Sequence, residues 1–387
     1  MTGVSWFTLL MRPFKLLLVL ILAVPLPAGA QIRAGLPALP VLPGSAVASA
    51  AAVTTPSPAL GLAASLPPAT PAALTPTPSI PAAAHERLDL PERLTSLFRK
   101  LDAQYALPEG SPTAQVRARV RSQLLAAARD YAEPEPELLE TVAREADGAL
   151  AKIQDRLDQG DIDPSSKIRL SASDPELPSS SRRMRIGVYP VAADPFQWGH
   201  LLIALRAVGE LGVDKVVFVL AGDDPRKPAM TPVEHRHPMG QAVLELFAPF
   251  FEYSPIAVGT TLDGETNIFR LLALNPRQDL EAWYMVGDDH YRLVDKRGNP
   301  DTLPKLGRND RRHREANPAL HELKVAFIRR ESPAEAVPTD LEVRFLANVG
   351  FEASSTQVRN GRWTLMPHAA FEHARRKGLY GLPPAPL

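Results

Sequence analysis

Met184-Arg185-Ile186-Gly187-Val188-Tyr189, followed by Asp194-Pro195-Phe196-Gln197-Trp198-Gly199-His200, is the stretch that decides the fold. The first six residues read as a short apolar strand. Residues 199–211 then carry Leu201, Leu202, Leu205, Val208 and Leu211 at helical spacing. The pattern repeats downstream. Residues 215–220 predict a second strand, 243–251 a helix, 256–258 a strand, 267–274 a helix and 283–286 a further strand. Such alternation predicts an α/β fold, a Rossmann-like doubly wound parallel sheet. Sheets of this kind bind ligands beyond the carboxyl ends of their strands, at the strand-to-helix turns.

Four such turns carry candidate functional residues. At the first, Gly199 permits close backbone approach, and His200 stands at a helix start whose free N–H groups favour phosphate. The second, 222–239, contains Lys227 and Arg236, cations suited to polyphosphate. The third is Gly287-Asp288-Asp289-His290, with carboxylates placed for a ribose or a metal-bound phosphate. The fourth is Ala353-Ser354-Ser355-Thr356-Gln357-Val358-Arg359, where hydroxyls at a helix cap precede an arginine. Taken singly, each also fits a solvated loop or an ordinary capped helix.

Upstream, the chain changes character three times. Residues 1–30 read as an export signal: Arg12 and Lys15, an apolar run over 16–24, then Ala28-Gly29-Ala30 as a cleavage site. The run is short of the about 20 residues that span a bilayer, and an uncleaved anchor through residues 16–30 is the alternative. Residues 31–84 are rich in Pro and Ala, nearly uncharged, and predict a disordered, extended tether. Residues 85–161 predict a small helical region, from apolar spacings of three and four, and 162–181 a linker to the domain at 182–387. The 43 basic and 43 acidic residues cancel, which gives no global field for nucleic acid or an anionic membrane. The absence of Cys excludes disulfides and thiolate chemistry.

The order of the four turns resembles the nucleotidyltransferase superfamily, and most closely the nicotinate/nicotinamide mononucleotide adenylyltransferases. Residues 186–200 are similar to the superfamily's opening strand, turn and (His/Thr)-x-Gly-His signature. Pro225 to Met239 resembles the family's Pro-x-x-Lys and Glu-His-Arg-x-x-Met pattern, 264–272 its Thr-bearing helix start, Gly287-Asp288-Asp289 its Gly-x-Asp, and 353–359 its Ile-Ser-Ser-Thr-x-Ile-Arg. The likeness covers about 200 residues and leaves 1–181 outside it.

The resemblance implies an adenylyltransferase that joins ATP, carried with Mg²⁺, to a pyridine mononucleotide and releases pyrophosphate. It implies His200 and Lys227 as catalytic residues. It implies nucleotide or phosphate contacts for Gly187, Gln197, Gly199, Arg236, Thr266, Gly287, Asp289, Ser354, Ser355, Thr356 and Arg359, with no metal ligand from the protein. Two positions depart from the pattern. Gln197 stands where the signature has His or Thr, and Pro190-Val191 replaces a Gly-Gly-type turn. An exported, noncatalytic nucleotide-binding or interaction module derived from the same fold is the second reading.

Overall fold

The computed structural model describes residues 89–382, apart from 226, 318–319 and 331–335. The chain divides into two units, Met1–Ser79 and Ile80–Leu387, and every described residue lies in the second. The signal expected over 1–30 and the tether over 31–84 fall outside the described residues.

Six strands form one parallel sheet in the order β3-β2-β1-β4-β5-β6. They are β1 Met184–Val191, β2 Lys215–Leu220, β3 Phe251–Ser254, β4 Leu280–Gly287, β5 His321–Arg329 and β6 Glu342–Ala347. The chain winds outward from β1 to β3, then returns to lay β4 on the other side of β1. That reversal opens a crevice at the carboxyl ends of β1 and β4. Every residue of β2 is buried, as expected of a parallel strand covered on both faces. The edge strands are short: β3 has four residues, and β6 exposes Glu342 while sharing its charge with Lys324 and Arg344.

Two predicted elements shift. The strand expected at 256–258 is a turn, with Val258 N–H bonded to Pro255 C=O, because Pro255 ends the strand that begins at Phe251. The helix expected at 243–251 lies earlier, as α5 Val233–Glu245, with Pro238 inside it. Proline normally breaks a helix there. Here buried anchors override it: the Arg236 guanidinium is bonded to carbonyls, and His237 meets the Tyr253 hydroxyl and the Ala221 carbonyl.

The helices α1 Leu90–Gln104, α2 Pro112–Asp130 and α3 Pro136–Asp158 share one apolar core with α4 Trp198–Leu211. Each of the three begins with Pro in its first turn, where the missing N–H costs nothing. Gly209 of α4 admits α3 closely; a Cβ there would lie 3.1 Å from Lys152 Cβ. Residues 162–181, expected as a linker, are pinned to the α/β layer: Ile162 and Ile168 are buried, and Arg169 N–H donates to Asn275 Oδ1 at 2.9 Å. The remaining helices are α6 Gly264–Ala273, α7 Thr302–Ala316, α8 Ser355–Arg359 and α9 His368–Arg376.

Candidate functional site

Two chambers flank the carboxyl ends of β1 and β4. One, about 220 Å³, lies on the α4 side; Gln197, Gly199, His200, Gly287, Asp289 and Ser355 are among its walls. The other, about 350 Å³, lies on the α6 side, with Lys227, Gly264, Glu265 and Tyr284 among its walls. Pro190, Val191, Ala192, Val286 and His290 belong to both, so the chambers adjoin across the strand ends.

On the α4 side the groups are held by neighbours. Gln197 caps α4, its Oε1 accepting from Gly199 N–H at 2.6 Å, and its Nε2 donates to Ala353 C=O at 3.4 Å. Gly199 is required here, because a Cβ would lie 2.5 Å from Gln197 Oε1 and 3.2 Å from Ala353 Cβ. His200 Nδ1 accepts from Gln197 N–H at 3.4 Å. A backbone donor on Nδ1 puts the ring proton on Nε2, which leaves Nε2–H free to donate. Burial, with the Arg330 charge adding to it, pushes the His200 pKa down to about 4. The ring is therefore neutral at neutral pH.

The other predicted residues are placed as follows. Ser355 lines the α4-side chamber, and its hydroxyl donates to Pro195 C=O at 2.9 Å. Ser354 caps the five-residue α8 by accepting from Gln357 N–H. Ser354, Thr356 and Arg359 are exposed and do not wall either chamber. Arg359 instead donates to Asp194 C=O at 2.6 Å and to Thr356 Oγ1 at 3.1 Å. Asp289 is exposed at the chamber wall, with Arg330 Nη1 at 3.8 Å. Its carboxylate folds back against Gly287, where a Cβ would collide with it. Lys227 is exposed on the wall of the α6-side chamber.

Besides Ser354, Thr356 and Arg359, three more residues lie away from the places expected of them. Arg236 does not reach a phosphate site: it is fully buried and donates to the carbonyls of Ala192, Ala221, Gly222 and Thr231, with Asp223 at 3.6 Å. It brackets the ends of β1 and β2 together. Gly187 lies inside β1, where a Cβ would meet Met285 Sδ at 2.8 Å, so its role is sheet packing and not nucleotide contact. Thr266 lies off both chamber walls, its N–H taken by the capping Asp263.

The Pro190 substitution is accommodated. Val191 C=O accepts from Ala221 N–H on the β2 side, so strand alternation turns the missing Pro190 donor toward β4. Pairing with β4 has already ended at Val188–Tyr284. The Pro190 ring packs on Gly264, where a Cβ would lie 2.7 Å from Pro190 Cγ.

Sequence reading missed Arg330, Asn348 and Glu265. Arg330 follows the carboxyl end of β5, a position that sheet topology alone marks out. Asn348 follows β6 in the same way. Glu265 is a buried carboxylate on the α6-side wall, with Lys305 at 3.7 Å and His290 at 3.9 Å. Among the described residues no group of three or more His, Asp or Glu has metal-holding geometry.

No family model matches the chain. A probable nicotinate-nucleotide adenylyltransferase from one strain of Thermus thermophilus is 31% identical over 211 residues, covering 51% of this chain and 100% of the relative. Its counterpart from a second strain of the same organism is 30% identical over 209 residues, with 51% and 100% covered. A third, from Saccharopolyspora erythraea, is 27% identical over 211 residues, with 52% and 91% covered. Among solved structures, Plasmodium falciparum nicotinic acid mononucleotide adenylyltransferase complexed with NaAD aligns with a TM-score of 0.39 at 12% identity, covering 51% of this chain and 98% of that one. The relatives, all described as probable nicotinate-nucleotide adenylyltransferases, correct the expectation of export and of the alternative anchor through 16–30. Among the described residues no helix is long and apolar enough to cross a membrane.

Proposed function

Because this chain belongs to the nicotinate-nucleotide adenylyltransferase family, we propose that it joins ATP to a pyridine mononucleotide, giving a dinucleotide and pyrophosphate. The mononucleotide phosphate attacks the α-phosphorus of ATP, and pyrophosphate departs. No covalent enzyme intermediate is needed, so catalysis rests on alignment and on stabilising developing negative charge. ATP enters as its Mg²⁺ complex, with phosphate oxygens as the metal's chief ligands. The exposed Asp289 carboxylate is the one predicted acidic group at the α4-side wall suited to meet that complex.

The observation that carries the reading is the meeting of two chambers at the ends of β1 and β4, with His200 and Ser355 on one side and Lys227 on the other. ATP takes the α4-side chamber and the mononucleotide the α6-side chamber, so the reacting atoms meet near the shared Pro190–Ala192 edge. His200 Nε2–H donates to an α-phosphate oxygen as charge builds there. A neutral donor suffices for this, and its Nδ1 bond to the main chain fixes the ring beforehand. Gln197 supports His200 from the cap instead of contributing charge, and the exposed Arg330 and Lys227 supply cations from opposite sides.

The test is direct. The full chain is incubated with ATP, Mg²⁺ and either nicotinate or nicotinamide mononucleotide, and dinucleotide and pyrophosphate are measured. Equal amounts of both products are expected with one acceptor. Absence of both products with either acceptor would end the reading.

A further inference from the structure

The loop that follows β6 supplies part of the α4-side chamber: Asn348, Val349, Ala353 and Ser355 all line it. The sheet does not hold this loop, because β6 ends at Ala347. It is held by α3. Glu145 of α3 pairs with Arg206 of α4. The other arm of that guanidinium donates to Asn348 C=O at 2.6 Å and to Ala347 C=O at 3.1 Å. The Glu145 carboxylate also lies against the loop itself, since a Cβ on Gly350 would be 3.2 Å from its Oε1.

The far end of the loop is fastened from the same helix. Glu135, the N-cap residue of α3, receives Arg362 through Nε at 2.8 Å and Nη2 at 2.7 Å. Arg362 reaches back to Glu352 C=O at 3.4 Å. Glu135 and Glu145 are ten residues apart, about 15 Å of helix rise. One rigid element therefore grips the entry and the exit of the loop. The element is itself fixed, with Leu139, Val142, Ala146, Leu150 and Ile153 fully buried and Arg156 donating to Gly209 C=O.

We propose that Glu145, acting through Arg206, is a positioning residue for ATP, and that the helical region preceding the sheet sets the nucleotide affinity of a chamber it does not line. This rests on the reading of the α4-side chamber as the ATP site. Arg206 is the joint: its guanidinium touches α3 on one side and the chamber loop on the other. Removing the Glu145 carboxylate frees the guanidinium to turn toward solvent, and the Asn348–Val349 wall loses its fixed distance from the nucleotide.

The full-length chain is compared with Glu145→Ala, Glu145→Gln and Arg206→Ala by calorimetric titration of ATP and by initial rates against each substrate. Glu145→Ala and Arg206→Ala are expected to raise both the Kd and the KM for ATP about 10-fold, a usual size for coupling between sites, with the mononucleotide KM unchanged. Glu145→Gln keeps an acceptor for Arg206 and is expected to restore most of the affinity. An unchanged ATP Kd in Glu145→Ala, or KM values that rise together for both substrates, overturns the proposal while leaving the adenylyltransferase reading intact. A parent chain that does not bind ATP overturns both.

Discussion

The two chambers are built on opposite principles. On the α4 side nearly every polar group named is already engaged: Gln197 caps a helix, the Ser355 hydroxyl meets Pro195, and His200 keeps one nitrogen on the main chain. On the α6 side the charges are looser. Lys227 is exposed, and Glu265 has only distant partners in Lys305 and His290. The first arrangement is fixed before a ligand arrives and loses little freedom on binding. The second keeps side-chain freedom that a ligand would have to restrict. The difference teaches that fixed geometry is concentrated on one face of β1, and adjustable charge on the other.

The largest expected effect tests the floor beneath both chambers. Arg236→Leu takes a fully buried donor from the carbonyls of Ala192, Gly222 and Thr231, while Ala221 keeps His237, and should lower stability by about 3–5 kcal/mol, read from the denaturant midpoint. A normal midpoint with lost ATP binding would instead return Arg236 to the phosphate site.

Next comes the rigid chamber. His200→Ala should reduce kcat by about 10²-fold or more, as loss of a transition-state donor does in other enzymes. An unchanged kcat removes the imidazole from the reaction.

Lys227→Ala probes the looser chamber. An exposed cation contributes about 0.2–1 kcal/mol, so the mononucleotide KM should rise only about 1.4- to 5-fold, with the ATP KM unaffected. A larger effect on ATP would reverse the assignment of the two chambers.

A further effect is a pH dependence. The folded pKa of His200, about 4, lies below the roughly 6.5 of an unfolded chain. Between those values the unfolded chain takes up a proton that the native ring refuses. His200 therefore lowers stability as pH falls from 6.5 toward 4, and contributes no change above 6.5. His200→Asn keeps an acceptor for the Gln197 N–H. Its denaturation midpoint should fall less than that of the parent between pH 7.5 and pH 5.

Much of the fold was legible because parallel strands are apolar throughout: residues 184–189, 215–220 and 283–286 all lie within strands. Elements were misplaced where local rules met tertiary anchors. Residues 222–239 read as a turn, yet 233–245 form a helix in which Arg236 and His237 hold Pro238 in place from below. The candidate site was legible as a set of turns, and His200, Gly199 and Ser355 do come together on one wall. What could not be read was direction. Whether Arg236 points into a cleft or into the core depends on where the Ala192, Ala221 and Gly222 carbonyls lie, and these come from distant segments. Arg330, Asn348 and Glu265 went unnoticed because no local motif surrounds them. Their importance comes only from where the sheet ends and the chambers open.

The edges of the sheet have a consequence of their own. A long, flat, apolar border would offer unpaired backbone to neighbouring molecules and seed aggregates. Here one border stops after four residues at Pro255, and the other alternates Glu342 and Arg344 along its open side. Strand addition from a neighbouring molecule is thus discouraged at both margins of the sheet.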